Sequence, residues 1–457
     1  MVEGTDRLAA LEAKITVLTT ALATRDARIA ELERLLEESR RSGKRQSAPF
    51  SKGARKDDPA KPGRKKGDAH GRHGHRPAPP DPDRFIDAPL PQRCPDCGEG
   101  VDFERWADQY QTELPEPRPV TTRFRVGVGR CRACRRRIQG RHPEQTSDAL
   151  GAAGAQVGPR AMAWGAWLHY GLGLSFGKCS ALLGRLGVNV TAGAICSSSA
   201  SMGTDLVPTH NAIKAHVASA PAVVMDETGW RIGGEGAWLW VATTDDATIY
   251  DVARGRDFDA AIGLVPADYA GTIVRDGWVV YNSYKNASHQ TCFAHLLRRC
   301  HEMIEDLPAW ARGTPRQVRD LLAEALDARD LDKRERTDAA VDIGERLDLL
   351  TDRDHPHDAN RRLVKHLRHE RAALFTFLTT DGVDATNWRG EQGVRPAVVN
   401  RKVWGGNRSD RGAEIQGRVM TFLRTANQQG ADAIALLVNL ARAPTPGVVD
   451  GLNLRSA

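Results

Sequence analysis

The chain of 457 residues is poor in aromatics (6%) and has only 8 cysteines. So little cysteine excludes a small disulfide-stapled scaffold. No run of about 18 apolar residues occurs, so no membrane-spanning helix and no membrane partner is expected. The 43 glycines follow no fixed period, which excludes a collagen-like chain. The first ten residues are polar and acidic, without the basic-then-apolar order of a signal peptide. A cytoplasmic location is therefore expected, where thiols stay reduced and paired cysteines more often hold metal. Long apolar-patterned stretches exclude a wholly disordered chain. At roughly 100–200 residues per domain, the length suggests two to four domains.

What is present is unevenly spread. The formal net charge is +7, yet 13 Lys/Arg against 3 Asp between Arg40 and Arg76 give that segment +10. The remainder is slightly acidic. A local basic block suits a polyanion partner better than uniform basicity does. Within it, Lys44, Arg45, Arg64, Lys65 and Lys66 are candidate phosphate contacts, each adding salt-dependent, sequence-independent affinity. The same segment is rich in Gly and Pro and reads as a flexible basic linker. His70, His73 and His75 lie in it and read as tether residues rather than metal ligands. Before it, Leu8, Ile15, Leu22, Ile29 and Leu36 alternate with Leu11, Leu18, Arg25 and Leu32 in a heptad. That seam predicts a parallel coiled coil pairing two or more copies, with a single docked amphipathic helix as the alternative.

Cys94-Pro-Asp-Cys97 and Cys131-Arg-Ala-Cys134 form two C-x-x-C pairs 33 residues apart. Two such pairs can place four thiolates around a structural Zn²⁺; unrelated pairs or a redox couple are the alternatives. The alternation over 121–128 predicts a strand between them. Arg135, Arg136 and Arg137 make the second pair a candidate nucleic-acid surface. From 150 to 216 the pattern is helical, and 175–202 reads as helix, turn, helix, a shape that can enter a major groove but is common elsewhere.

Strands follow. The apolar run 222–225 ends at Asp226, the segments 237–243 and 248–253 continue an antiparallel meander around Gly233-Gly234, and 271–274 ends before Asp276. A carboxylate at a strand tip is poorly placed for packing and well placed for a hard cation. Two Mg²⁺ ions about 3.5–4 Å apart can clamp both oxygens of an in-line phosphoryl transfer. Two such aspartates after a meander point to a ribonuclease H-like core. A third acid is needed. Asn387, Glu391 and Arg395 recur every fourth residue, one helix face, although Gly390 and Gly393 weaken a helix by roughly 1 kcal/mol each. Glu414 competes with Glu391.

These residues carry a resemblance. Asp226-Glu-Thr-Gly-Trp230, Trp238-Leu-Trp240, Asp276-Gly-Trp278 with Tyr281, Cys292-Phe-Ala-His295, Asn387-x-x-x-Glu391-x-x-x-Arg395-Pro396 and the run 400–409 with Arg401 and Lys402 are similar to transposases of the insertion-sequence sixty-six family, of the DDE class. The similarity covers nearly the whole length. Trp388, Gly390 and Asp410 depart from the family's usual residues. The resemblance implies a ribonuclease H-like catalytic fold and an Mg²⁺-binding triad of Asp226, Asp276 and Glu391, selecting Glu391 over Glu414. It implies a bacterial, nucleoid-associated protein acting on transposon ends and target DNA, with accessory proteins of the same element as further partners. Cys292 and His295 look like a motif following the second acid in several DDE groups. They would orient the active site, contact DNA, or simply pack, and Asn387 and Arg395 would support the site.

The expected architecture is a multidomain α/β chain. It runs as a coiled coil (1–40), basic linker (41–85), zinc-binding segment (86–146), helix-turn-helix region (150–216), ribonuclease H-like core (220–302 and 379–445) split by a helical insertion (303–378), and a tail (446–457). The expected function is Mg²⁺-dependent strand cleavage and strand transfer at terminal inverted repeats. A non-catalytic zinc-containing DNA-binding regulator, or a decayed inactive transposase copy, is the competing reading.

Overall fold

The computed structural model describes residue 19 and residues 76–454. The heptad, the basic linker and its cations Lys44, Arg45, Arg64, Lys65 and Lys66 lie outside the described residues, residue 19 excepted. The described chain falls into two units, one ending at Glu113 and the other beginning at Leu114.

In the first unit, residues 76–113 form no helix and no regular strand, only a local bridge between Arg93 and Gly100 around Cys94 and Cys97. The second unit opens with a hairpin of β1 (Val128–Arg130) and β2 (Arg137–Gln139), whose turn carries Cys131 and Cys134. The strand expected over 121–128 is shorter and later than its alternation suggested. The ladder ends where Gly140 N–H donates to the Gly127 carbonyl, and the chain then turns at His142–Gln145, so residues 121–127 have no strand to pair with.

Helices α1 (Pro159–Ala166, continuing in π-helical geometry to Gly171), α2 (Phe176–Arg185), α3 (Ala192–Asp205) and α4 (Val207–Ala218) follow. Proline at the start of α1 loses no needed donor. The hydroxyls of Ser175 and Thr191 cap α2 and α3, so the expected helix, turn, helix at 175–202 is present as two capped helices.

A central mixed sheet comes next: β3 (Ala222–Ile232), β4 (Glu235–Thr243), β5 (Thr248–Ala253), then α5 (Phe258–Ile262), β6 (Thr272–Arg275) and β7 (Ser288–Thr291). The order is β5-β4-β3-β6-β7; β3, β4 and β5 pair antiparallel, and β6 and β7 join in parallel. The expected meander is present. Its first turn uses Gly233 and Gly234 at φ +63° and +90°, which only glycine adopts at little cost. β7, Ser-His-Gln-Thr, has no apolar run and left no strand signal.

The remaining chain is helical: α6 (Phe293–Asp306), α7 (Gly313–Asp327), α8 (Lys333–Thr351), α9 (Asp358–Glu370), α10 (Thr376–Thr379), α11 (Trp388–Trp404), α12 (Asp410–Gln428) and α13 (Ala433–Arg442). In the insertion 303–378, Leu322, Ile343, Leu347, Leu363 and Leu367 share one core with Val224 of β3 and Val274 of β6. Its helices, with one apolar face each, bury that face in this shared core.

Alternation along β3 sorts the packing. Val224 enters the insertion core and Trp230 a second core with α11 and α12. Val223 and Met225, on the opposite face, enter a third with Trp240, Tyr281 and Tyr284.

Candidate active site

Asp226 does not end its strand, as its apolar run suggested; β3 continues six residues to Ile232 because β4 pairs with it along that length. It stands where the parallel pairing with β6 stops. Val224 is the register partner of Val274, and Asp226 and Asp276 each follow two residues on. Both therefore project from the same face of neighbouring strands. On that face Asp226 lies between the insertion core and the α11–α12 core, where neither apolar surface reaches. Its Oδ1 accepts the Glu227 backbone N–H at 2.8 Å, and Asp276 Oδ1 accepts that of Trp278 at 2.9 Å. No hydrogen bond from the described residues reaches the other oxygen of either carboxylate.

Glu391 comes from the first turn of α11, beginning one turn after the N-cap Asn387. Asn387 is fully buried; its N–H donates to Cys292 Sγ (3.1 Å) and its Nδ2 to the Met225 carbonyl (3.3 Å), which fixes the start of α11 against β3. The two glycines that weaken this helix make the approach possible. A Cβ at Gly390 would collide with Asn387 Oδ1 and lie 3.1 Å from Asp226 Cβ, and one at Gly393 would lie 3.1 Å from Val241. Tyr250 locks the crossing by donating to the Gly393 carbonyl at 2.7 Å. Arg395, two turns along from Asn387, is exposed and forms no ion pair with Glu391. Glu414 sits on α12, exposed, accepting from Arg418 at 2.8 Å.

The three acids feel one another. Burial, then the charges of Glu227, Asp276 and Glu391, push the Asp226 carboxyl up to about 8, while the Glu227 N–H pulls it down. Among the described residues, no three His, Cys, Asp or Glu side chains converge as a finished metal cluster. The donor set nonetheless suits a hard divalent cation: one oxygen of each aspartate without a hydrogen bond from the described residues, and a buried acid destabilised by like charge. Asn387 Oδ1, a further oxygen beside Asp226, is buried and has no partner. His295 Nε2 lies 3.7 Å from Glu391 Oε1. Cys292 is fully buried, and burial pushes its thiol up, so it serves as a packed acceptor for the Asn387 amide. A cavity of about 840 Å³, lined by Phe124, Gln145, Gln156 and Arg442 among others, does not include Asp226, Asp276 or Glu391 in its lining.

Three interactions were not legible. Glu227, adjacent to Asp226 but on the other face, accepts from Arg256 (2.6 and 2.9 Å) and from the buried Tyr281 hydroxyl (2.5 Å). The Arg256 guanidinium also stacks 3.7 Å over Trp278 and 4.5 Å over Trp238. Arg275, just before Asp276, pairs in the core with Glu370 of α9 at 2.5 Å and donates to Asn282 at 3.0 Å. His169, buried in α1's extension, is stacked between Phe176 and Trp404, at 3.7 and 3.9 Å. Alternation separates Asp226 from Glu227 in the sequence itself; the partners, 7 to 235 residues distant, follow no period and give no local signal.

The cysteine pairs share one local geometry, each within its own unit. Gly98 N–H donates to the Cys94 carbonyl (2.9 Å) and Arg135 N–H to that of Cys131 (3.0 Å). Gly98 and Arg135 both have positive φ, +78° and +62°. Backbone N–H groups of Cys97 and Asp96 lower the Cys94 thiol, and those of Cys134 and Ala133 lower Cys131. Such a turn favours the thiolate form that metal ligation needs. Arg135, Arg136 and Arg137 are exposed, as is Lys402, whereas Arg401 is half-buried and donates to the Gly229 carbonyl of β3.

A central mixed sheet with helices fits a DDE transposase domain. The chain belongs to such a family: the family model described as Transposase IS66 family matches residues 154–415, more than half of the sequence. That span contains Asp226, Asp276 and Glu391 and excludes both cysteine pairs. No curated protein matches the chain. A transposase-type, DNA-processing function follows from membership. Among the described residues, no helix is long and apolar enough to cross a membrane.

Proposed function

We propose that the protein binds the terminal inverted repeats of an insertion element and cuts and rejoins DNA strands at Asp226, Asp276 and Glu391. The observation that carries the reading is the juxtaposition of these carboxylates from three segments, Asp226 and Asp276 in equal register and Glu391 on a helix seated by two glycines. The strand order supports a ribonuclease H-like core, with the first strand central, an antiparallel meander on one side and parallel strands on the other. Asp226, Asp276 and Glu391 would hold Mg²⁺, which when bound supplies Lewis-acid stabilisation of charge on the phosphoryl oxygens.

The chain's own residues do the rest. The Glu227 and Trp278 amides orient the two aspartates, and Asn387 fixes the helix that presents Glu391. Water displaces the 3′-oxygen at the element's end, and the freed 3′-hydroxyl then displaces the corresponding oxygen of a target phosphodiester. No serine or tyrosine nucleophile is needed. On their sequence spacing, Cys94, Cys97, Cys131 and Cys134 would serve as ligands of structural Zn²⁺. The heptad would pair copies, and the basic linker and Arg135–Arg137 would add sequence-independent grip. The test is Mg²⁺-dependent cleavage of DNA carrying the element's ends. Wild type should cut, and Asp226→Ala, Asp276→Ala and Glu391→Ala should not; a triple variant with full activity overturns the assignment. Purified protein with near-zero zinc content overturns the knuckle assignment.

A further inference from the structure

Two helices carry a row of cations that begins at the acids. On α6, Arg298 and Arg299 follow His295 by three and four residues. On α9, Arg362, Lys365, His366 and His369 recur at i, i+3, i+4 and i+7, one helix face. Both rows start at the site. His295 is 3.7 Å from Glu391, a Cβ on Gly277, next to Asp276, would lie 3.6 Å from the His366 ring, and His369 Nε2 is 3.2 Å from the Asn282 amide. The rows also adjoin each other: burial lowers Arg299, and the nearby Arg362 charge acts in the same direction.

Four of these cations have no counter-charge of their own. Elsewhere on α9, Arg361 pairs with Asp358 and Arg368 with Asp352. Arg298, Arg299, Arg362 and Lys365 form no ion pair among the described residues. Of the acids nearby, Glu370 is taken by Arg275, and Glu302, at i+4 from Arg298 and i+3 from Arg299, makes no ion pair with either. Like charges gathered without partners raise the local potential, and a polyanion lowers it.

We propose that this face of α6 and α9 is a phosphate track that holds the DNA backbone beside the carboxylates. The proposal rests on the reading that Asp226, Asp276 and Glu391 cut DNA. It gives the insertion a function: α9 is delivered to the site by the Arg275–Glu370 pair and presents its cations there.

The test uses the full chain and a fluorescent random-sequence duplex, without divalent metal. Wild type is compared with a variant carrying Arg298→Gln, Arg299→Gln, Arg362→Gln and Lys365→Gln, and with Arg334→Gln, an exposed cation of α8, as control. The basic linker is unchanged in all three and cancels. Four lost phosphate contacts should make the log–log salt slope shallower by about 3–4, while the control leaves it unchanged. Equal thermal midpoints show that the fold is intact; if the quadruple variant melts early, the pair Arg362→Gln/Lys365→Gln is used, with an expected change of about 2. A change of less than half the expected value overturns the track. Because no cleavage is read, failure of the chemistry appears separately: a cleaving Asp226→Asn variant with a salt-sensitive track overturns only the catalytic assignment.

Discussion

The two faces of β3 treat neighbouring carboxylates in opposite ways. Glu227, turned to the Tyr281 side, is buried and fully answered: a guanidinium, a phenol and two stacked indoles complete its surroundings. Asp226, turned to the α11 side, accepts one backbone N–H among the described residues and feels the charges of Glu227, Asp276 and Glu391. The same chemical group one residue apart is a structural anchor in one place and an unanswered charge in the other. Unanswered charge is costly in a fold. It stands where the parallel pairing of β3 with β6 stops and the glycine-seated helix α11 crosses, the face on which the proposed chemistry would take place.

The comparison can be broken from either side. Asp276→Asn and Glu391→Gln should each cost about a thousandfold in strand cleavage, corresponding to about 4 kcal/mol of lost charge stabilisation, with little change in thermal midpoint. Retained cleavage would move the site elsewhere. Glu370→Gln acts on the answered class: Arg275 would be left buried without its carboxylate, at about 3–5 kcal/mol in denaturant unfolding. Because Arg275 adjoins Asp276, cleavage should also fall even where the variant remains folded.

Acid sharpens the picture next. Burial holds the His169 imidazole down at about 4, against a backbone bond to Leu174 that raises it, so the unfolded chain binds this proton more readily than the folded one. Stability is complete above pH 6.5 and declines as pH falls from there to about 4, by about 3 kcal/mol. Burial alone would raise Glu370, but Thr291 and Arg275 hold it below its ordinary range, so its contribution is lost at lower pH still. Urea unfolding of His169→Phe should show a flatter acid limb than wild type. The smallest effect belongs to Glu414→Ala, which removes an exposed pair with Arg418 worth about 0.3–0.5 kcal/mol and should leave cleavage unchanged.

The meander, the two aspartates and the α11 helix were readable because each is a local pattern: period-two apolar runs, a glycine turn and a four-residue repeat. The placement of Asp226 within its strand was not, because only the length of β4 decides where β3 ends. The glycines of α11 read as weaknesses until the sheet beneath them was known. Strand β7 and the Glu227–Arg256 and Arg275–Glu370 pairs were invisible because polar pairing over long separations has no period. The insertion's leucines announced helices but not that they share a core with Val224 and Val274.

The most direct test of the two-faced strand measures cleavage and thermal unfolding together in two proteins, Asp226→Asn and Glu227→Gln. Asp226→Asn should lose Mg²⁺-dependent cleavage of the element's ends while melting at or above the wild-type temperature. Glu227→Gln should be less stable by about 2 kcal/mol, with Arg256 losing its carboxylate, and should keep measurable cleavage. Cleavage that survives Asp226→Asn, together with cleavage abolished in a stably folded Glu227→Gln, would contradict the account.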